Sequence, residues 1–285
     1  YLRTHQTGAD PGWGIVQKQT GADRLSLGGA LSANAHGRGL RFRPIIQDVE
    51  AFTLVDADGR ALTVSRTEHP ELFRLAIGGY GLFGVIATVD LRLTPRQKLK
   101  RAVEVVSIDD LAQKVLERIA AGALYGDFQY KTDVAAADFM RVGVLSTYHP
   151  VPLDTPIPEG QKRLTPDDWN ELLMLAHTRK SEAFERYSRY YLSTHGQTYW
   201  SDTHQMGYYN DAYEDYLRRT LPDYAPGSLM ITEIYVPRHR LRELTVRLIE
   251  DAKAHAVDVV YGTMRLIERD DESFLAWAKQ DYACI

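Results

Sequence analysis

The chain has a single cysteine, no excess of basic residues and no long apolar run. The one cysteine, Cys284, excludes an internal disulfide and is typical of a reducing compartment, so we expect a cytoplasmic location. The net charge of −4 disfavours nucleic acid as the main partner, because such proteins present a basic face. No apolar stretch is long enough for a bilayer, so we expect no membrane span in this chain.

The common nucleotide-binding glycine motifs are also missing. Two glycine-rich segments run over residues 28–37 and 78–86, but neither has the Rossmann spacing or the lysine of a phosphate-binding loop. Glycine lets the backbone approach a flat or anionic ligand closely. Each segment alone predicts no more than a packed helix start or a tight turn entering a strand. Their joint occurrence indicates a ligand site.

Local signals predict several elements of the first third of the chain. Asp58-Gly59 between the alternating runs 49–55 and 61–65 predicts a β-hairpin. Pro70 predicts the first turn of a helix that ends at Gly78.

The composition changes after Pro95, and the remainder predicts an α+β domain. Thr165 to Asp168 predicts a helix cap rather than a catalytic pair. Strands are predicted at 85–93, 103–106, 126–130, 139–148, 229–236 and 257–267. Helices are predicted at 108–121, from 165 to about 177, and at 181–191, 238–254 and 270–278.

In order and separation, the two glycine segments resemble the flavin domain of the vanillyl-alcohol-oxidase family, the PCMH-type FAD-binding fold. The first is similar to the segment that lies along the flavin in that family, and the second to the segment at the adenosine and pyrophosphate end. The resemblance implies FAD as the cofactor. The cofactor-binding residues that it implies are Gly28, Gly29, Ala30, Ser32, Asn34, His36, Gly37, Gly81, Gly84, Val85 and Ile86.

The resemblance also implies an α+β fold with two domains. Residues 1–96 form the second half of a PCMH-type FAD-binding domain, and residues 97–285 an antiparallel-sheet cap that binds substrate. In this interpretation the chain is an internal fragment that ends within the cap. The family's N-terminal pyrophosphate loop, often with a histidine that bonds covalently to flavin, precedes Tyr1. The sequence therefore leaves covalent attachment undecided.

A looser resemblance supplies candidate catalytic residues in the cap. The branch concerned contains bacterial sugar-alcohol, aldonolactone and decaprenylphosphoryl-ribose oxidases. Residues 231–237 resemble a strand that carries a glutamate, here Glu233, and Arg265 resembles the arginine of a Glu-x-Arg strand, with Thr263 in place of the glutamate. Burying a lone carboxylate among apolar residues is costly. Glu233 is therefore explained equally by an ion pair with a cap arginine such as Arg265 and by binding, or accepting a proton from, a substrate hydroxyl.

The tyrosine-rich stretch 187–216 contains a third catalytic candidate, His204. This stretch is explained by packing and an oligomer surface, or by a slot for a sugar-like substrate. No second histidine or carboxylate lies at a metal-ligand spacing from His36, so we expect no metal site.

These features predict an FAD-dependent oxidoreductase. It oxidises an alcohol carbon of a small polyol, sugar or lactone-like molecule by hydride transfer to flavin. Oxygen and other electron acceptors both remain open for the second half-reaction. Two alternatives remain, namely a non-catalytic flavin subunit that transfers electrons and a flavin-free binding protein.

Overall fold

The computed structural model describes residues 2–6, 11–17, 25–204, 213–223, 227 and 229–285. The strands are β1 (Trp13–Ile15), β2 (Val49–Val55), β3 (Ala61–Ser65), β4 (Val85–Leu91), β5 (Leu93–Pro95), β6 (Lys98–Ser107), β7 (Tyr125–Tyr130), β8 (Val142–Val151), β9 (Thr198–Trp200), β10 (Tyr235–Pro237), β11 (Thr263–Ile267) and β12 (Tyr282–Cys284). The helices are α1 (Leu2–His5), α2 (Leu27–Ser32), α3 (Pro70–Ala76), α4 (Ile108–Ala120), α5 (Pro166–Thr178), α6 (Lys180–Ser193), α7 (Ser201–His204), α8 (Tyr213–Thr220) and α9 (Leu241–Ala254), with short 3-10 helices at Ile45–Asp48 and Arg238–Arg240.

The strands form three antiparallel sheets. A three-stranded sheet has the order β3-β2-β4, a seven-stranded sheet the order β10-β12-β11-β7-β8-β6-β9, and β1 pairs with β5. This mixture of helices and antiparallel sheets is consistent with the predicted α+β fold. In the part of the chain that is described, no helix has the length and hydropathy to cross a membrane.

The three-stranded sheet and the helices α2 and α3 enclose the first hydrophobic core. The predicted hairpin is confirmed, because Gly59 at φ 78° turns the chain between β2 and β3, and the Asp56 carboxylate accepts from the Asp58 and Arg60 backbone N–H groups. The predicted helix at Pro70 is also confirmed. The core residues are Ala30, Leu31, Ile45, Ile46, Val49, Phe52, Leu54, Val64, Phe73, Ala76 and Ile77.

The seven-stranded sheet has an apolar face and a polar face. Successive side chains of a strand point to opposite faces. Phe128, Leu145 and Met264 lie on the apolar face and pack with residues of α4 and α9, such as Leu111 and Ile249, in the second core. The opposite face presents Arg101, Asp127, Ser146, Arg265 and Cys284, and α6 lies against its β6 and β8 strands.

The predicted boundary between residues 96 and 97 stays a prediction. Leu40, from the first part of the chain, packs into the second core, and Gly39 forms a β-bridge with Tyr125. The helices and strands predicted after α4 are largely confirmed. The helix cap predicted at Thr165 is confirmed as a capping box in which the Thr165 and Asp168 side chains each accept from the other's backbone N–H group.

Two predictions in the last quarter of the chain are wrong. The strand predicted at 229–236 is limited to Tyr235–Pro237, with one further backbone pair between Ile234 and Ile285. The segment predicted as a helix at 270–278 is irregular. There the Asp270 carboxylate accepts from the backbone N–H groups of Glu272 and Ser273, and this local turn replaces helical hydrogen bonding.

Candidate active site

The two glycine segments lie side by side, as predicted. The Gly78 N–H donates to the Leu31 carbonyl at 2.9 Å, and the Tyr80 N–H donates to the Ser32 carbonyl at 2.9 Å. A Cβ atom on Gly28 would lie 3.0 Å from the Ile86 carbonyl oxygen. Helix α2 therefore rests directly on the start of β4, and this contact depends on a glycine.

An apolar surface is exposed beside this contact. Leu27 and Val85 flank it, and Tyr80 and Leu82 project from the turn between α3 and β4, with Leu82 78% exposed. The space around Gly81, whose φ is +79°, is open to beyond 4 Å. This part of the first lobe offers a flat apolar ligand both side chains and accessible backbone.

Several predicted cofactor residues have clear internal roles. Ala30 is part of the first core, and the Gly29 N–H donates to the Ser26 side chain that caps α2. Gly84 has φ +141°, and a Cβ atom there would lie 2.4 Å from the Val55 carbonyl oxygen. The packing of β4 on β2 therefore accounts for the glycine at 84, whether or not a ligand lies beside it.

Asn34 joins the first lobe to the irregular segment after β11. It is fully buried, and its backbone lies in the left-handed region at φ 46°. Its amide nitrogen donates to the Asp270 carboxylate at 2.8 Å, and its amide oxygen accepts from the Ile46 N–H at 3.2 Å. The Asn34 carbonyl accepts from the Trp277 indole at 3.1 Å. The side chain is thus committed to contacts within the protein, and its flavin contact stays a prediction.

His36 meets Glu233 and Cys284 at the edge of the polar face. The His36 Nε2 atom lies 3.3 Å from the Glu233 carboxylate and 4.0 Å from the Cys284 sulfur. Its Nδ1 atom lies 3.2 Å from the carbonyl oxygen of Gly37, another predicted cofactor residue. Tyr235 donates its hydroxyl to Glu233 at 2.5 Å, and its ring lies edge-on to His36.

This cluster has strong electrostatic coupling. Burial alone would lower the pKa of His36, but its contacts with Cys284 and Glu233 outweigh burial and raise that pKa to about 9. The hydrogen bond from His36 lowers the pKa of Glu233 to about 2 against the opposing effect of burial, with further contributions from Tyr235 and Arg265. At neutral pH the two side chains form an ion pair.

The same three side chains bear on the prediction that no metal is bound. One ligand-type atom from each of His36, Glu233 and Cys284 lies within 4.8 Å of the others. The prediction was based on spacing along the chain, and these residues come from distant positions. Spacing along the chain is therefore weaker evidence against a metal site than it was in the sequence alone. The absence of a metal stays a prediction.

Arg265 lies in the same row as this cluster. On the polar face, Arg265 of β11 is opposite Cys284 of β12, which is opposite Tyr235 of β10. Arg265 is 7% exposed, and its charge contributes to the low pKa of Glu233. The structure thus brings both candidate catalytic residues to one region, but β12 lies between β11 and β10, Glu233 precedes β10, and the close partner of Glu233 is His36. Their catalytic roles stay predictions.

His204 is the last residue of α7, and its side chain lies outside the described residues. So does a large part of the tyrosine-rich stretch. Of the tyrosines that are described, Tyr191 and Tyr199 lie with Tyr148 around the Arg101 guanidinium, with ring centroids 4.7–5.2 Å from its central carbon. That arrangement is a set of cation–π contacts.

Sequence reasoning missed three charged residues on the polar face: Arg38, Arg101 and Asp127. A signal for Arg101 was present, because it lies two residues from each of the buried Leu99 and Val103 and so shares their face of β6. Arg38 directly follows the first glycine segment. Asp127 had no local signal, since its surroundings depend on the pairing of β7 with β8 and on which face of the sheet α6 covers.

The fold and the site together define an α+β protein in which two glycine segments contact each other and the first of them also contacts a charged face of an antiparallel sheet. No protein-family model matches the chain. Over 85 residues it is 35% identical to an L-galactono-1,4-lactone dehydrogenase, mitochondrial, of Brassica oleracea. Over 86 residues it is 36% identical to cytokinin dehydrogenase 9 of Oryza sativa subsp. japonica, and 29% identical to a D-arabinono-1,4-lactone oxidase of Debaryomyces hansenii.

Each of these matches covers 30% of this chain, and 14%, 16% and 15% of the three relatives respectively. The relatives include aldonolactone oxidases and dehydrogenases, the kind of enzyme that the sequence resemblance predicted. The comparisons support that resemblance over this segment. They give no support to the predicted cytoplasmic location, because the plant lactone dehydrogenases are named as mitochondrial.

Proposed function

We propose that this chain belongs to an FAD-dependent oxidoreductase that oxidises an alcohol carbon of a lactone-like, sugar or polyol substrate. One observation carries the proposal: the two glycine segments contact each other, and the first of them contains His36. His36 is paired with Glu233, beside the row of the polar face that contains Arg265. A cofactor-type surface and a charged substrate-type surface are therefore joined within a few residues of the chain. The similarity to lactone oxidases and dehydrogenases supports the same class of reaction.

The residues on the first lobe fit FAD. The exposed side chains of Leu27, Tyr80, Leu82 and Val85, with the open backbone at Gly81, would hold its flat apolar parts. When bound, FAD supplies a two-electron acceptor for the hydride that leaves the alcohol carbon.

The pKa of Glu233 distinguishes between the two substrate roles that the sequence left open for this residue. A general base is most effective when its pKa is near the working pH. A carboxylate with a pKa of about 2 holds protons weakly, so Glu233 is better suited to accept a hydrogen bond from a substrate hydroxyl than to remove its proton. Arg265 provides a buried positive charge that stabilises negative charge as it develops on the reacting groups.

A flavin spectrum of the intact protein, followed by anaerobic reduction, tests the proposal. We expect FAD to bind with absorption near about 450 nm, and this band to bleach with L-galactono-1,4-lactone, D-arabinono-1,4-lactone or sorbitol. Flavin that binds but is reduced by none of these compounds would favour an electron-transfer subunit. A colourless protein that also fails to take up added FAD would favour a flavin-free binding protein.

A further inference from the structure

The irregular segment after β11, residues 270–278, is attached to the first lobe by several polar contacts. Glu272 pairs with Arg66 at 2.6 Å, and its backbone carbonyl accepts from the Arg74 guanidinium at 2.8 Å. Arg66 donates in turn to the Ile46 carbonyl at 2.9 Å. The segment leads from β11 into β12, so these contacts join the first lobe to the seven-stranded sheet. We call residues 270–278 the clasp.

Two contacts of the clasp converge on Asn34, which lies two residues before His36. The Asn34 amide nitrogen donates to the Asp270 carboxylate at 2.8 Å, and the Trp277 indole N–H donates to the Asn34 carbonyl oxygen at 3.1 Å. The backbone of Asn34 is held at φ 46°, a conformation that residues other than glycine seldom adopt without support from their surroundings. The clasp therefore fixes both the side chain and the backbone of the turn that leads into His36.

The Asp270 carboxylate is itself held in place. One of its oxygens accepts from the backbone N–H groups of Glu272 and Ser273 at 2.9 and 3.1 Å. The other accepts from the Asn34 amide and from the Ser273 hydroxyl. The Asp270 N–H donates to the Ala278 carbonyl at 2.8 Å, which closes the clasp on itself. A buried carboxylate that accepts this many hydrogen bonds is a fixed anchor for Asn34.

Trp277 also reaches the cluster around His36 directly. The centroid of its ring lies 5.9 Å from that of His36, in an edge arrangement, and 4.5 Å from that of Tyr235. Tyr235 donates its hydroxyl to Glu233, whose carboxylate lies 3.3 Å from the His36 Nε2 atom. One side chain of the clasp thus contacts the turn before His36, the His36 ring and the tyrosine that bonds to the partner of His36.

We infer that Asp270 and Trp277 are positioning residues, which hold the turn at Asn34 so that the His36 Nε2 atom faces the Glu233 carboxylate. The inference concerns the position of His36 and is independent of flavin. Its consequence for catalysis rests on the proposed function, in which Glu233 accepts a hydrogen bond from a substrate hydroxyl and His36 keeps that carboxylate charged and oriented.

The pKa of His36 reports where its ring lies. Burial lowers this pKa, and the contacts with Cys284 and Glu233 outweigh burial and raise it to about 9. Tyr235 faces the same cluster, and Arg265 adds its charge to the surroundings of Glu233. If His36 moved away from Cys284 and Glu233 but stayed buried, its pKa would fall toward or below 6.5. A loss of stability alone leaves the pKa of the folded molecules unchanged.

Histidine-selective NMR titration of the purified protein tests the inference, and His36→Gln identifies the signal of His36 among the nine histidines. Trp277→Phe removes the indole N–H but keeps an aromatic ring and the net charge. We expect it to lower the pKa of His36 by at least about one pH unit, the order expected for a weakened hydrogen bond to a charged group. Asp270→Asn should have the same effect, because its amide group places a donor where two donors already point.

Asp271→Asn is the matched control. Asp271 is the next residue of the clasp and carries the same charge, but it pairs with the exposed Arg43 rather than with the turn before His36. This variant should leave the pKa of His36 unchanged. Trp277→Phe keeps the test decisive if Asp270→Asn fails to fold. The inference is overturned by a wild-type pKa near 6.5, by a pKa that stays near 9 in the folded clasp variants, or by an equal fall in Asp271→Asn.

The outcome for the clasp is separable from that for the proposed function. If flavin is bound and reduced, Trp277→Phe should raise the KM for a lactone roughly 10-fold and leave the maximal rate of reduction near that of the wild type. If flavin is reduced while Trp277→Phe changes neither KM nor the pKa of His36, the clasp inference alone is wrong. If the clasp variants lower that pKa while the protein takes up no flavin, the clasp inference stands and the proposed oxidation is wrong.

Discussion

The His36 imidazole lies 3.3 Å from the Glu233 carboxylate, although 197 positions separate the two residues along the chain. The contact joins the first glycine segment to the segment that leads into β10. It lies between the Cys284 sulfur on one side and the Tyr235 hydroxyl on the other. Because both partners titrate, this contact makes the stability of the protein depend on pH.

The pair should stabilise the fold most between about pH 4.5 and 6.5, the ordinary pKa values of Glu and His. The pKa of His36 is raised to about 9, so its contribution is present below pH 6.5 and is lost as the pH rises toward 9. The pKa of Glu233 is lowered to about 2, so its contribution is present above pH 4.5 and is lost as the pH falls toward 2.

Melting temperatures of the wild type and Glu233→Gln across these pH values measure the effect. The two curves should differ most at pH 4.5–6.5 and should converge toward pH 9. Arg189→Gln, which removes an exposed charge, is the control for changes in net charge. Curves that stay parallel from pH 4 to 9 would show that the ion pair does not contribute.

Asn34 should be the most sensitive polar residue of the first lobe. Asn34→Ala removes one of the hydrogen bonds to Asp270, leaves the Ile46 N–H without its acceptor and forces alanine into the left-handed region. We expect a loss of about 2–3 kcal/mol in the free energy of unfolding. Asn34→Gly removes the same hydrogen bonds but tolerates φ 46°, so the difference between the two variants isolates the backbone strain. Urea unfolding measures both, and a loss below about 0.5 kcal/mol in both would contradict the assignment.

Local signals in the sequence predict much of the fold. A proline at the start of α3, an Asp-Gly turn after β2 and a capping box at α5 each specify an element within a few residues. The segment 270–278 carries such signals for a helix and does not form one. Its Asp270 is hydrogen-bonded to Asn34, so a contact with the other end of the chain stabilises an alternative that local propensity does not show.

The candidate site could be predicted only in part, for a related reason. Each glycine segment is a continuous run of the sequence, so each could be recognised without knowledge of the fold. His36, Glu233 and Cys284 come from three distant positions, and their meeting depends on the pairing of β10 with β12. In the sequence, Cys284 served only to exclude an internal disulfide. The register that places it between Tyr235 and Arg265 has no sequence signal of its own.

Substitutions of Gly84 and Gly81 should separate the effect of each glycine on stability from its effect on flavin binding. Gly84→Ala places a Cβ atom 2.4 Å from the Val55 carbonyl at φ +141°, so we expect a loss of ~3 kcal/mol in stability. Gly81→Ala meets open space, so it should cost only the strain of its positive φ, roughly 1 kcal/mol. Under the proposed function, Gly81→Ala should nevertheless lower flavin content. Urea unfolding and flavin absorption of both variants provide the comparison, and equal losses of stability would be the contrary result.

Arg265→Lys should separate chemistry from stability. Lysine keeps the positive charge but lacks the planar fork, so it cannot reproduce the same directed hydrogen bonds on the polar face. If Arg265 stabilises charge on the reacting groups, stopped-flow reduction of the flavin by substrate should slow roughly 100-fold. Arg265 is buried on β11, between β7 and β12, so a purely structural role would instead lower the melting temperature and leave the rate per folded molecule unchanged.

The matched comparison for that variant is Arg101→Lys, which changes a second buried arginine of the same sheet. Arg101 is held by three tyrosine rings and by the Thr194 hydroxyl, so Arg101→Lys should lower the melting temperature and leave the rate of flavin reduction per folded molecule near that of the wild type. Arg265→Lys should do the reverse. If both variants lower the melting temperature and neither changes the rate, Arg265 has a structural role, and the search for a catalytic residue would move to the side chains of the tyrosine-rich stretch and His204.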